Sequence, residues 1–220
     1  MAREIDHAVH LVVGPGDTRG RPVRDVVLEA VEGGATVVQL RWKSEPSRGL
    51  VDEARGLLAE LRPRGVPLVI NDRVDVALAV GADGVHVGQS DMRVEDVRRI
   101  AGREIVVGLS ITRAEEARAA DVALADYAGV GPVFATLSKS DASEPLGLDG
   151  VAEVCRLLAI PTVAIGGISI ENAASVVAAG VRGVAVISAV AGASDPREAA
   201  ARLVREVRGA AGIHTRAMHT

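Results

Sequence analysis

Residues 69–91 of this chain read VINDRVDVALAVGADGVHVGQSD, and this stretch decides the fold. An apolar strand ends at Asn71-Asp72, an apolar-periodic helix then ends at Gly81, and a second short strand over residues 84–87 breaks into polar residues. This order predicts a βαβ unit in which the two strands are parallel neighbours. Both polar breaks then lie at the same edge of the sheet, where the strands end.

Asp72 and Asp91 follow the two strands of this unit, so we expect their carboxylates to face one pocket. Two carboxylates beside an amide suit a hard divalent cation, Mg²⁺ before Zn²⁺. The alternative is that Asp72 caps the next helix and Asp91 belongs to a turn.

The same alternation of strand and helix continues along the whole chain and predicts eight strands, each followed by a helix. The simplest fold for such a chain is a single-domain α/β fold, a (β/α)8 TIM barrel over residues 1–220 in which the eight strands form a closed sheet. A doubly wound open sheet is the alternative. A barrel brings the polar residues after strands two to eight to one mouth, whereas an open sheet spreads them along an edge. We expect a helix over residues 114–121 and a frayed tail at about 209–220.

The composition limits the function classes. The 220 residues are 48% hydrophobic, Trp, Tyr and Phe occur once each, and the net charge is −4. A negative chain with few aromatic residues is not expected to bind nucleic acid. We expect no signal peptide and no membrane contact, and Cys155 as the single cysteine suits the cytoplasm. The sequence leaves the oligomeric state open, a homo-oligomer included.

Two segments favour anionic ligands. Gln39, Arg41 and Lys43 alternate at the end of the second strand and so share one face, where the cations would bind phosphate oxygens. Gly166-Gly167 and Ile187-Ser188 follow strands seven and eight, the usual phosphate site of such barrels. A solvated strand end and two tight turns are the corresponding alternatives.

The segment over residues 131–140 is long for a βα loop and carries hydroxyl groups and a lysine. A loop that covers an anionic substrate and an inert insertion both fit. His86 is either a core histidine or a catalytic one, and Cys155 is expected to pack in the core. Since the predicted mouth shows no obvious nucleophile, chemistry that needs charge stabilisation alone, such as departure of pyrophosphate, fits best.

Together these motifs resemble the thiamine-phosphate synthase family. They occur in the family order and cover nearly the whole barrel: QLRWK at 39–43, IND at 70–72, HVGQSD at 86–91, GLS at 108–110, TLSK at 136–139, AIGGI at 164–168 and VIS at 186–188.

The resemblance implies a Mg²⁺-dependent enzyme that couples hydroxymethylpyrimidine diphosphate, through a pyrimidine methyl cation, to a thiazole phosphate, giving thiamine phosphate and pyrophosphate. Its small-molecule substrates would be held by matching residues. Those for the pyrimidine diphosphate are Gln39, Arg41, Lys43 and Asn71, with Ser110 and Lys139 at the diphosphate or bridging oxygen. Those for the thiazole phosphate are Thr136, Ser138, Gly167, Ile187 and Ser188. Asp72 and Asp91 would hold Mg²⁺, and Lys139, Ser110 and Arg41 would be catalytic.

Two segments depart from the family pattern. The first strand ends in Gly14-Pro15 where the family usually has Thr-Asp, and the loop has Leu137-Ser138 where Pro-Thr or Thr-Thr is usual. A related family that tautomerises thiazole phosphate typically lacks residues like Asn71, Asp72 and Asp91, which this chain has. A phosphate-binding regulator would leave the two aspartates unexplained.

Overall fold

The computed structural model describes residues 5–42, 47–136 and 144–217. Eight parallel strands form a closed barrel in sequence order, each hydrogen-bonded to the next and the last to the first. The strands are β1 (Val9–Val13), β2 (Val37–Leu40), β3 (Leu68–Asn71), β4 (Gly84–Val87), β5 (Val106–Ile111), β6 (Tyr127–Val130), β7 (Thr162–Ile165) and β8 (Gly183–Val186). The barrel prediction is confirmed, and closure between β1 and β8 excludes the open sheet.

Helices alternate with the strands and cover the outside of the barrel. They are α1 (Val23–Glu32), α2 (Ser47–Leu61), α3 (Val74–Val80), α4 (Val94–Ala101), α5 (Ala114–Ala117), α6 (Gly147–Leu157), α7 (Ala173–Ala178), α8 (Ser188–Ala191) and α9 (Pro196–Ala217). No helix among these described residues is long and apolar enough to cross a membrane.

The main core lies between the strands and the helices and is built from Val, Leu, Ala and Ile, as expected of parallel strands covered on their outer face. A smaller cluster fills the inside of the barrel around Tyr127, with Val12 and Val163 among its members. Because neighbouring residues of a strand point to opposite faces, His10 lies inside the barrel while Leu11 joins the outer core.

Two predicted elements differ from the structure. The helix expected over residues 114–121 ends at Ala117, and a separate 3₁₀ turn follows over Ala120–Leu124. Ala119 between them has extended backbone, with φ −71° and ψ 147°, which interrupts the helix. The tail expected to fray from about residue 209 is instead helical through Ala217. Leu203 and Val207 on the apolar face of α9 pack against the main core. This packing stabilises the helix, which continues past residue 209.

Candidate active site

A cavity opens at the carboxyl ends of the strands and extends into the barrel, with an empty volume of about 1100 Å³ that includes space open to solvent. The residues lining it come from all eight βα segments: His10, Val12, Gln39, Arg41, Asn71, His86, Ser110, Thr112, Tyr127, Gly129, Gly131, Pro132, Thr136, Val163, Ile165, Gly166, Gly167, Ile168, Ala185, Val186, Ile187 and Ser188. Eight of the predicted substrate-binding residues are in this set: Gln39, Arg41, Asn71, Ser110, Thr136, Gly167, Ile187 and Ser188. Lys43, Ser138 and Lys139 lie outside the described residues.

Arg41 supplies positive charge to this cavity. Its backbone N–H donates to Val13 O at 2.9 Å, which extends the pairing of β1 and β2 by one residue and brings the side chain to the mouth. Its Nε atom is buried and has no hydrogen-bond partner among the described residues. A buried guanidinium N–H without an acceptor loses free energy, so an anionic ligand in the cavity would satisfy it. Trp42 follows directly and packs half-buried against the main core.

The atypical end of the first strand carries an acid beside this arginine. The carboxylate Oδ2 of Asp17 accepts the Gly14 N–H at 2.8 Å. Burial raises the pKa of Asp17, while this hydrogen bond and the positive charge of Arg41 act in the opposite direction. Residue 14 must be glycine, because a Cβ there would lie 2.2 Å from the carbonyl oxygen of Arg41.

The floor of the cavity is a group of rings. His86 Nδ1 lies 2.9 Å from Tyr127 Oη, and His86 Nε2 lies 2.9 Å from Ser110 Oγ. His10 Nε2 lies 3.0 Å from His7 Nδ1, and both of these rings lie within 5.4 Å of the tyrosine ring, centroid to centroid. His86 is therefore buried, as the core interpretation requires, and also lines the cavity, as the catalytic interpretation requires.

Replacing His10 by phenylalanine should reduce the loss of stability in mild acid. Burial lowers the pKa of His10 well below its ordinary value of about 6.5, and the charges of His7 and His86 act in the same direction. The unfolded chain therefore binds more protons than the folded chain below about pH 6.5, and stability falls as the pH falls. One such group contributes at most about 1.4 kcal/mol per pH unit.

Chemical denaturation of both proteins between pH 5 and 7 measures this effect. The slope of unfolding free energy against pH should be smaller in His10→Phe, although not zero, because burial lowers the pKa of His7 as well. Equal slopes in the two proteins would contradict the assignment.

Asp72 and Asp91 follow β3 and β4, as predicted, although neither lines the cavity. Asp72 has a left-handed backbone, with φ 61°, and its N–H donates to His86 O at 2.8 Å. Asp91 is exposed, and its Oδ2 accepts the Gly88 N–H at 2.8 Å. The residue before α3 is Arg73, so Asp72 lies one position outside a helix cap.

These donors fit Mg²⁺ with a phosphorylated ligand. The described parts of the chain contain no group of three or more His, Cys, Asp or Glu side chains that could hold a metal ion. Mg²⁺ typically takes one or two protein carboxylates and fills its remaining positions with water and substrate phosphate oxygens. Two aspartates that follow adjacent strands supply that number of carboxylates, whereas a structural Zn²⁺ site would need four protein ligands.

The two turns predicted to bind phosphate follow β7 and β8, which lie three and two strands around the closed barrel from β2 and Arg41. Gly166 and Gly167 have φ values of 101° and 66°, a region that favours glycine. A Cβ on Gly167 would lie 2.7 Å from Phe134 Cβ. Asn172 fixes this turn, because its Nδ2 donates to Gly167 O at 3.0 Å and its Oδ1 accepts the Ser169 N–H at 2.9 Å.

Sequence reasoning missed several residues of the cavity. His10, Thr112, Gly129 and Tyr127 line it, and none of them belongs to a motif that the sequence analysis used. The available signal for Tyr127 was its rarity, since the only tyrosine of a chain with so few aromatic residues lies in an apolar strand. For His10 the available signal was the presence of a histidine at an inward-facing position of β1.

The fold and this cavity define a (β/α)8-barrel enzyme with anion-binding groups at the carboxyl ends of its strands. The family model described as thiamine monophosphate synthase matches residues 9–190. The chain belongs to this family, and it is a transferase of the thiamine-phosphate synthase type.

Individual relatives agree. The chain is 52% identical to thiamine-phosphate synthase of Roseiflexus sp. over 85% of its own length and 79% of the relative, and 49% identical to that of Chloroflexus aurantiacus over 92% and 94%. The solved structure of thiamine phosphate pyrophosphorylase from Pyrococcus furiosus superposes with a TM-score of 0.86 at 40% identity, covering 93% of this chain and 97% of that one.

Proposed function

We propose that this enzyme uses Mg²⁺ to couple 4-amino-2-methyl-5-hydroxymethylpyrimidine diphosphate with a thiazole phosphate, releasing thiamine phosphate and pyrophosphate. The observation that carries the proposal is one cavity lined by two separate groups of residues that are suited to anions. Arg41 follows β2, Gly166-Gly167 and Ser188 follow β7 and β8, and the rings of His86 and Tyr127 lie inside the barrel. Two phosphorylated substrates with their organic parts between them fit this layout.

A dissociative substitution suits the residues present. The bond between the pyrimidine methylene carbon and the bridging oxygen breaks first, pyrophosphate takes the electron pair, and the thiazole nitrogen then forms the new C–N bond. Among the described lining residues there is no cysteine, lysine or carboxylate that could act as a nucleophile. What the cavity supplies is an arginine, an asparagine and hydroxyl groups, which stabilise a developing negative charge.

In this proposal different residues hold the two substrates and the metal. Gln39, Asn71 and Arg41 hold the pyrimidine diphosphate, and Ser110 contacts its leaving group. Gly167, Ile187, Ser188 and Thr136 hold the thiazole phosphate. Asp72 and Asp91 would hold Mg²⁺, which supplies charge neutralisation on the leaving diphosphate.

The remaining assignments concern residues outside the described ranges. Lys43 continues the alternation of Gln39 and Arg41, so we assign it to the diphosphate. Ser138 is assigned to the thiazole phosphate and Lys139 to the leaving pyrophosphate. Their support is the sequence motif, and Thr136 at the start of that motif lines the cavity.

The proposal is tested by incubating the purified protein with both substrates and following thiamine phosphate and pyrophosphate. Equal amounts of both products should form with Mg²⁺ and should fall to background when the metal is chelated. Tautomerisation of the thiazole phosphate without coupling would overturn the proposal, as would a rate that is indifferent to chelation.

Gly167→Ala should raise the KM for the thiazole phosphate by about tenfold or more and change that for the pyrimidine diphosphate much less. A methyl group in this turn obstructs close approach of the anion to backbone N–H groups and collides with Phe134.

Gly102→Ala is the matched control for steady-state kinetics with each substrate varied in turn. Gly102 also has a positive φ, 74°, and nothing lies within 4 Å of its Cβ position. This control therefore also adds a methyl group at a positive φ, away from the cavity. Equal increases in both KM values of Gly167→Ala would contradict two separate anion regions.

We also propose a cytoplasmic location, because the single cysteine is a free thiol, which suits a reducing compartment. Cys155 is a free thiol on α6, half-buried with its sulfur 3.3 Å from Thr162 Oγ1, and burial raises its pKa. A thiol of raised pKa reacts slowly, which agrees with a packing role.

A further inference from the structure

His86, Gly108 and Tyr127 stand side by side on three adjacent strands. In the strand register His86 pairs with Gly108, and Gly108 pairs with Tyr127. The two outer side chains meet inside the barrel, over the glycine, with a distance of 2.9 Å from His86 Nδ1 to Tyr127 Oη. The central residue contributes no side chain, and this leaves the space in which the hydrogen bond forms.

The glycines of this region are required by that hydrogen bond. A Cβ on Gly108 would lie 2.4 Å from His86 Nδ1 and 2.5 Å from Tyr127 Oη. A Cβ on Gly129 would lie 2.9 Å from His86 Cε1. Neither glycine has a positive φ, so backbone conformation does not explain them. Glycine is required at both positions because a side chain there would occupy the space of His86 and Tyr127.

Polar side chains hydrogen-bond both members of the histidine–tyrosine pair. On one side the Gln39 side chain hydrogen-bonds the Tyr127 oxygen. On the other side His86 Nε2 lies 2.9 Å from Ser110 Oγ. We call Gln39, Tyr127, His86 and Ser110 the floor chain.

The direction of hydrogen bonding along the floor chain follows from the 2.9 Å contact between the Tyr127 phenol and the His86 imidazole. Burial raises the pKa of Tyr127, so the phenol keeps its hydrogen. A phenol O–H is a stronger donor than the N–H of a neutral imidazole, and an imidazole nitrogen is a stronger acceptor than a phenol oxygen, so the Tyr127 O–H donates to His86 Nδ1. A neutral imidazole that accepts at Nδ1 carries its proton on Nε2, which then donates to Ser110 Oγ. The hydrogen of Ser110 is left to point into the cavity.

We propose that Tyr127 is a positioning residue that, through the tautomer of His86, makes the Ser110 hydroxyl a hydrogen-bond donor toward the substrate. This inference rests on the proposed function, in which Ser110 meets the bridging or leaving-group oxygen of the diphosphate. Charge grows on that oxygen as the bond breaks, so a donor aimed at it acts on the transition state more than on binding. The Gln89 side chain fixes the serine further, because its Nε2 donates to the Ser110 backbone oxygen at 2.7 Å.

Tyr127→Phe removes one hydroxyl and keeps the ring. His86 then loses the donor that selects its tautomer, and Ser110 loses its fixed orientation. Removing an oriented donor altogether costs about 10²–10³ in rate, so losing its orientation should lower kcat by about tenfold. The KM for the thiazole phosphate should stay unchanged. In a Ser110→Ala background the tyrosine substitution should have no further effect on kcat, since coupled residues are not additive.

The tautomer is measured directly by long-range ¹H–¹⁵N NMR of the full, ligand-free chain, with the His86 signals identified by their loss in His86→Gln. The wild-type protein should show the proton on Nε2, and Tyr127→Phe should show a mixture of tautomers. Thr162→Val is the matched control, because it also removes a buried hydroxyl from a barrel strand and contacts Cys155 outside the cavity. It should change neither the tautomer nor kcat.

A wild-type His86 with its proton on Nδ1 would overturn the inference, because the floor chain would then run in the opposite direction. An unchanged kcat in Tyr127→Phe would also overturn it, and so would additive losses in the double variant. These outcomes are distinct from failure of the proposed function, in which the wild-type protein itself makes no thiamine phosphate.

Discussion

Replacing Asp72 by asparagine should lower Mg²⁺-dependent formation of thiamine phosphate by about 10²–10³-fold, the loss expected when charge stabilisation of a leaving group is removed. Asparagine is the informative substitution, because residue 72 has a φ of 61° and asparagine tolerates this left-handed conformation better than alanine. The melting temperature should therefore change little while the metal loses a charged ligand. Initial rates across a Mg²⁺ titration measure the effect.

Two further variants complete this test. Asp91→Asn keeps an oxygen that accepts the Gly88 N–H and should show a loss of the same order. Asp75→Asn is the matched control, because Asp75 is an exposed aspartate on α3 that pairs with Arg73. Near-normal turnover of Asp72→Asn and Asp91→Asn at limiting Mg²⁺ would remove both residues from the metal site.

Arg41→Met should lower kcat/KM for the pyrimidine diphosphate by about 10²–10³-fold, because it removes the charged donor whose buried Nε has no acceptor among the described residues. Methionine keeps much of the apolar stem, so the loss reports the charge. Arg41→Lys should restore only part of the activity, because a point charge does not reproduce the planar guanidinium.

The same substitution should act on Asp17. The charge of Arg41 opposes the rise in the pKa of this carboxyl, so the pKa should rise further in Arg41→Met. Carboxyl ¹³C NMR across a pH titration follows this group. The control is Arg24→Met, which removes an exposed arginine that pairs with Glu60. An unchanged Asp17 pKa together with normal kinetics would contradict a role for Arg41 in the electrostatics of the cavity.

The sequence predicts the barrel because each βα unit can be recognised from its own residues. The stretch over residues 69–91 shows strand, helix and strand without any knowledge of the rest of the chain. Residues at or just after the ends of the strands were also predictable, because parallel strands end at one edge. Gln39, Arg41, Gly167 and Ser188 all line the cavity for this reason.

Contacts between strands far apart in the sequence could not be predicted in this way. Tyr127 meets His86 across an intervening strand, and His10 reaches them from β1 only because the barrel closes. The contact of Tyr127 with His86 depends on strand register and on the space left by Gly108, and the contact with His10 depends on barrel closure. Local periodicity shows none of these. The roles of Lys43, Ser138 and Lys139 stay predictions, since they lie outside the described residues.

The scarcity of aromatic residues has an optical consequence. Trp42, the only tryptophan, directly follows Arg41 at the mouth, and Tyr127, the only tyrosine, lies in the floor of the same cavity. The indole emission of this protein therefore comes from a single position beside Arg41 at the mouth, and its phenol absorption from a single position in the floor of the cavity. Occupation of the mouth can be followed by fluorescence of the unlabelled wild-type chain, separately from events at the floor.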